Sequence, residues 1–430
     1  MLVPVRTVIN KRDLYLKMKI RLSNNLIIII LYMYILNKLL WDKMVPFVFT
    51  TLFFGVSILF FAKFIHNNSH SKLTIRLLVI YVFFSIYVMA NAFVQDTNIQ
   101  MIRSFYEYIL YVVVFFSMAY LLRKCDYLMI SKYVAYSGVV VTLLSWYEYF
   151  SKSYLISQHD YSRSILYGGA YAFRACVFSR SVLAHGVILG VYAIFFFYLY
   201  ICEKKSIYFI ATVISYVSIL TTSSRGPLVS TGVALVIMFM INARQSGRKS
   251  IKNYGAILLL VVAIILIVIF LTSSFMTTNE MINYFLVRMR NIINWKGDGG
   301  NVGRINRWND AISWFKMNPL FGIGPSKTGS WGTGSIGVTE SGVLKRLCEL
   351  GIVGFILHYM FVGLIVIKAI RSYKFLNNAN QRIFICNLGL LVAVLINDCI
   401  LQSTEEIMVS FIMWTALAGL YIVSWRTDLK

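Results

Sequence analysis

The chain has 430 residues, 59% of them hydrophobic and only 13% charged, with a mean hydropathy of +0.71. So little polar surface cannot cover a water-soluble globule of this size, which leaves a polytopic membrane protein. The net charge of +24 does not indicate nucleic acid, because the basic residues are scattered between apolar runs without a reader motif; membrane orientation and an anionic lipid or polyanionic substrate account for it.

In chain order, residues 1–24 form a basic cytoplasmic N-terminus with Asp13 as its only acid. The apolar run that follows has no small-residue cleavage site and reads as a retained first span. Candidate spans, each near the roughly 20 residues a bilayer needs, are 25–41, 44–65, 73–94, 105–122, 133–150, 181–201, 206–222, 226–242, 254–273, 346–370, 383–401 and 406–424. The expected fold is therefore all-α: a membrane bundle of about 12 helices, nine of them in 25–273 and three in 346–424. Residues 274–345 form one long periplasmic loop and 425–430 a cytoplasmic tail.

The connections carrying Arg123-Lys124, Lys204-Lys205, Arg244 to Lys252 and Arg371 to Arg382 alternate along the chain and fall on the side of the basic N-terminus, which the positive-inside bias makes cytoplasmic. Four connections then face outward: 151–180, the turn Ser223-Ser224-Arg225-Gly226, the segment 274–345 and the link Gln402 to Glu405. Arg174, Arg180 and Arg225 gather there. A single arginine at a helix end snorkels to lipid headgroups, whereas three on one face beside a long loop suggest an anion site.

The long loop has structure of its own. Thr277-Thr278-Asn279-Glu280 fits a capping box ahead of Ile282, Phe285, Leu286, Met289 and Ile293 at helical spacing. A second short helix is expected from about Arg304 to Met317, with Ile305, Trp308, Ile312 and Phe315 on one stripe, ended by Asn318-Pro319. Gly322 and Gly324 then allow a sharp turn with exposed backbone amides. The loop holds 8 basic and 4 acidic residues, an outward excess that binding of a phosphate-bearing substrate by Arg forks would explain. Its Gly-rich pieces, 297–303 and 322–329, match no phosphate-loop spacing. No zinc-type Cys or His spacing exists either, so neither metal nor cofactor is expected.

Taken together, Thr222-Ser223-Ser224-Arg225-Gly226-Pro227, Arg307-Trp308, Pro319-Leu320-Phe321-Gly322-Ile323-Gly324, Glu340-Ser341-Gly342 and Glu349-Leu350-Gly351-Ile352-Val353-Gly354 resemble the O-antigen ligase and polymerase superfamily over roughly residues 170–400. Arg174, in Phe173-Arg174-Ala175-Cys176, resembles that family's outward arginine. The resemblance implies transfer of a glycan from an undecaprenyl-diphosphate-linked oligosaccharide at the outer face of the bacterial inner membrane. It implies no nucleotide or metal, membrane lipids as surroundings, and a chain-length regulator and a flippase as expected partners. Ligases of the family place a histidine where this chain has Glu340, so a repeat-unit polymerase is the preferred expectation over a ligase.

Mechanistically, Arg174, Arg225 and Arg307, with Arg304 and Arg180 nearby, are expected to hold the donor diphosphate. Trp308, Gly322 and Gly324 complete the binding surface, and Glu340 takes the acceptor hydroxyl's proton. Glu340 at the start of a span also suits a helix dipole. Glu349 lies deeper, with Lys345 four residues earlier as its expected partner. Asp398, Glu405 and Glu406 form an outer acidic patch that either binds acceptor sugars or pairs with the arginines. The rival class, a lipid-linked oligosaccharide flippase, predicts charges midway through several spans and an inverted repeat, which the sequence lacks.

Overall fold

The computed structural model describes residues 11–37, 48–68, 71–95, 102, 104–156, 165–167, 170–179, 181–246, 299–328, 337 and 339–428. Among them are α1 (Lys11–Leu36), α2 (Val48–Asn68), α3 (Lys72–Gln95), a π-helical turn Phe105–Leu110 continuing into α4 (Tyr111–Leu122), and α5 (Tyr127–Ser151). Then come α6 (Val182–Glu203), α7 (Ser206–Ser218) with a 3₁₀ turn to Thr222, α8 (Arg225–Ser246), α9 (Gly299–Met317), α10 (Gly342–Ser372), α11 (Asn378–Ile400) and α12 (Ile407–Asp428). Eight of these helices are long and apolar enough to cross a membrane and three more apolar helices are shorter, so the chain is a multi-pass, helical membrane protein. The expected span 254–273 and the capping box at 277–280 lie outside the described residues.

Among the described residues the strands are those of one short antiparallel hairpin, β1 (Ile165–Tyr167) with β2 (Ala170–Ala172). Gly168-Gly169 separates the two strands in sequence, a spacing that favours a two-residue hairpin turn.

Hydropathy explains which helices are central. In α6 and α12 almost every side chain is buried, while α2 and α3 turn Leu59, Phe83, Phe93 and other apolar residues outward, as lipid-facing helices do. α8 packs on α11, α11 on α12, and α4 against both α2 and α12. Small residues permit the close approaches: Gly190 of α6 lies against Thr231 of α8, and Gly354 of α10 against Tyr87 of α3.

Helix α10 is broken at Gly351, which sits at φ 60°, ψ −172°. The break is mended by the segment after α9. Ile323 N and Gly324 N donate to the carbonyls of Cys348 (2.9 Å) and Glu349 (3.1 Å), while Ile352 N and Val353 N donate to those of Pro319 (2.9 Å) and Leu320 (3.3 Å). Tyr87 Oη donates to Leu350 O (2.5 Å) and Asn91 Nδ2 to Phe321 O (2.7 Å), closing the carbonyls in between. Irregular backbone beside a span is tolerable only with this kind of internal satisfaction.

Gly322 and Gly351 face one another across this pairing, both with positive φ. A Cβ at Gly351 would stand 2.3 Å from Leu320 O, and one at Gly322 2.3 Å from Glu349 O. Gly351→Ala is therefore expected to lower stability by about 3 kcal/mol, combining a left-handed non-glycine with weakened pairing. Thermal unfolding in detergent checks it, with Gly363→Ala, where a Cβ meets nothing, as the control.

Candidate functional site

The site grows from the residue before α10. Ser341 caps that helix, its Oγ accepting from Leu344 N at 3.3 Å, and Glu340 stands just outside the cap at φ 53°. That left-handed turn frees the Glu340 backbone for two other elements. Its amide donates to Gln402 Oε1 (3.1 Å), and its carbonyl accepts from Trp308 Nε1 (3.2 Å). The carboxylate is paired with Arg307 Nη1 and lies 3.6 Å from Arg304 Nε. Arg304, Arg307 and Trp308 are spaced three and four apart on α9, so one helix face delivers all three.

Glu340 is partly covered, while the Arg307 side chain is 51% exposed and spends one N–H on Glu340. The guanidinium is thus oriented by a carboxylate and still presents a fork to an incoming anion.

A second group surrounds the turn before α8. Arg174 is buried, its Nε donating to Thr222 O (2.8 Å) and its Nη2 to Ser224 Oγ (2.9 Å), with Ala175 N on Thr221 O (3.0 Å) alongside. The segment holding Arg174 is itself pinned by Glu148, a buried carboxylate at the end of α5 that accepts from Cys176 N (2.9 Å), Val177 N (2.9 Å) and Leu155 N (3.0 Å). Arg174 therefore fixes the turn that presents Arg225, a half-buried residue opening α8.

The two groups meet the same stretch, 397–402. Gly226 packs on Asn397 and Leu401, Gly342 N donates to Leu401 O (3.3 Å), and Glu340 holds Gln402. Arg174, Arg225, Arg304, Arg307, Trp308 and Glu340 thus collect at one end of the bundle. Arg180 lies outside the described residues. Gly322 and Gly324 do not present open amides, contrary to the reading from their spacing. The Gly322 N–H is consumed by Asn318 O (2.8 Å) in the turn that follows α9, and the Gly324 N–H by Glu349 O (3.1 Å), a carbonyl that the break in α10 left needing a donor.

Beneath this surface lies an ionic cluster built from elements far apart in sequence. Lys345 is buried and contacts Glu107 (2.5 Å) and Glu405, whereas Glu349, its expected partner one turn on, stands at 3.9 Å. Glu349 instead accepts from Ser326 N (2.8 Å), Thr328 N and Oγ1 (2.7 Å each) and Tyr108 Oη. Four donors satisfy a fully buried carboxylate and moor the loop after α9.

Arg346 pairs with Asp398 (2.6 Å), which also accepts from Thr404 N and Oγ1 (3.1 and 2.8 Å). Of the alternatives for the acidic residues, pairing with basic partners holds for Asp398 and Glu405, the partners being Arg346 and Lys345. His185, which has no evident partner in sequence, is placed 3.0 Å from Ser145 Oγ and 3.4 Å from Ser179 Oγ. Among the described residues no group of three His, Cys, Asp or Glu is disposed to hold a metal ion; between Glu107 and Glu405 the position is filled by the Lys345 ammonium.

No curated protein matches the sequence. Residues 210–359 match the model of the family described as O-Antigen ligase, a stretch that includes Arg225, Arg304, Arg307, Glu340 and the Gly322–Gly351 pairing. Over that stretch, about a third of its length, the chain is similar to the O-antigen ligase family.

Proposed function

We propose that the chain is a surface-polysaccharide polymerase that transfers glycan from an undecaprenyl-diphosphate-linked donor to the terminal sugar of a lipid-linked acceptor, at the outer face of the bacterial inner membrane. The observation that carries this reading is the pairing of Glu340 with Arg307 and Arg304, with the rest of the Arg307 fork open. The carboxylate at 340, where ligases of the family place a histidine, favours polymerase over ligase.

In this reading the donor diphosphate lands on the open N–H groups of Arg307, with Arg225 at the N-terminus of α8 as a second cation. Competition for Arg307 loosens Glu340, whose carboxylate then meets the acceptor hydroxyl. The hydroxyl oxygen attacks the anomeric carbon, the bond from that carbon to the phosphate oxygen breaks, and the diphosphate keeps the electron pair under the arginines' field. The hydroxyl proton passes to Glu340.

Incubating the purified chain with lipid-diphosphate-linked repeat units is expected to yield a ladder of lengthening glycans without added nucleotide or metal. Absence of any ladder, or transfer to a lipid A core acceptor alone, would overturn the polymerase reading. Glu340→Gln separates two roles for the carboxylate. A base predicts a loss in kcat of about 10²–10⁴ with the donor KM little changed. A group that only orients Arg307 predicts a raised donor KM with kcat retained. Arg225→Ala is expected to shorten the ladder severely at unchanged protein abundance, as read on gels of extracted glycan.

A further inference from the structure

At the opposite end of the bundle from Glu340 is a cavity of about 350 Å³, bounded by the α4–α5 turn, the last turns of α6 and α12 and the first turns of α11. Its volume is that of a ligand site. Leu122, Leu128, Tyr198, Ile383, Ile422 and Val423 give the wall its apolar part, and Arg382 supplies a cation.

Arg382 is half-buried and has five N–H donors, and the groups it engages both belong to Cys202, the carbonyl at 3.3 Å and the thiol. No carboxylate among the described residues forms an ion pair with it. Asp126 also lines the cavity, but its Oδ1 caps α5 by accepting from Leu128 N (3.1 Å) and Met129 N (3.2 Å). A half-buried guanidinium against an apolar wall is a poor arrangement unless an anion joins it.

The surroundings say what kind of anion. Arg123 lies over Trp425 (3.6 Å), Lys124 over Tyr120 (5.6 Å) and Lys204 over Tyr200 (5.8 Å). Cations laid on aromatic rings at helix ends mark the level of lipid headgroups, and the basic excess marks the inner leaflet. A soluble anion would leave the apolar wall facing water, whereas a phosphate carrying an acyl chain matches both parts.

We propose that this cavity is a binding site for an anionic phospholipid of the inner leaflet, its phosphate on Arg382 and its acyl chain along Leu122, Ile383 and Ile422. The proposal is independent of the chemistry assigned to Glu340 and Arg307.

The test uses the full chain purified in detergent, with phosphatidylglycerol, phosphatidylcholine or inorganic phosphate added. Lipid retention is read by native mass spectrometry and stability by the unfolding temperature. Phosphatidylglycerol is expected to stay bound and raise the unfolding temperature, and phosphatidylcholine to do neither. Arg382→Gln is expected to weaken retention about tenfold, the worth of a charge-assisted hydrogen bond. Ala379→Trp, a change at an exposed position on the cavity's rim, should weaken it comparably without touching the charge, and it serves if the Arg382 variant does not fold. Equal retention of the two lipids, unchanged retention in both variants, or the same stabilisation by inorganic phosphate alone would each overturn the proposal.

Discussion

Arg307→Ala is expected to reduce glycan transfer by about 10²–10³-fold, the usual loss when one preorganised donor to a developing oxyanion is removed. The size of the effect follows from position. Arg307 stands half exposed with its fork pointing outward, and Glu340 has already restricted its rotamers, so little ordering remains to be done when the diphosphate arrives. Stability should hardly move, since an ion pair this exposed contributes under about 1 kcal/mol. Arg307→Lys is the sharper variant: it keeps the charge and loses the planar fork, so it should recover only a small part of the rate. Initial rates of ladder formation, with unfolding temperature as the control, decide the matter. A lysine variant at full rate would mean that bulk charge and not bidentate geometry is what the donor needs.

Lys345→Met is expected to have the largest effect on folding. The ammonium is buried among Glu107, Glu405 and Glu349, and removing it leaves three carboxylates facing one another in a poorly solvated interior. Breaking a buried pair by deleting one partner costs about 3–5 kcal/mol, and two carboxylates that lose their direct partner, Glu107 and Glu405, place the expected loss at the upper end. The loss should be partly reversed in Lys345→Met combined with Glu107→Gln, since that change removes one of the two charges left without a direct partner. A double-mutant cycle on thermal unfolding in detergent measures the coupling. Additivity of the two changes would show that the cluster is screened and that its members act separately. Transfer activity should fall with stability in the single variant, because Ser326 and Thr328, moored by Glu349, lie in the loop that leads from the arginines of α9 back to α10.

What could be read from the sequence divides along a physical line. Spans were legible because burial in lipid demands long apolar runs, and the helices at Val182–Glu203 and Asn378–Ile400 fall where hydropathy puts them. The helix carrying Arg304, Arg307 and Trp308 was legible from local spacing, but that spacing put Trp308 on a stripe with Ile305, Ile312 and Phe315 and left Arg307 off it, so their common partner Glu340 was not. Partners across the bundle were not. Nothing near Lys345 in the chain points to Glu107 on the π-helical turn before α4, and the i,i+4 rule offered Glu349 in its place. Glu148 drew no notice at all, since a carboxylate closing an apolar helix looks like a solvated end until the amides of Cys176 and Val177 are found on it. The same limit explains Gly322 and Gly324. Their positive φ was foreseeable, but whether the amides faced a ligand or a broken helix depended on Gly351, whose own left-handed turn lies inside what reads as an uninterrupted span.

The interruption at Gly351 also bears on how the protein is made. Residues 319–324 are synthesised before Gly351, so by the time α10 is inserted the segment that completes its hydrogen bonding already exists. A chain lacking 319–324 would bring the carbonyls of Cys348 and Glu349 and the amides of Ile352 and Val353 to the membrane without acceptors or donors, at a cost of several kcal/mol for each group left in hydrocarbon. A deletion of 319–324, which spares every apolar run, is therefore expected to keep the protein from accumulating in the membrane.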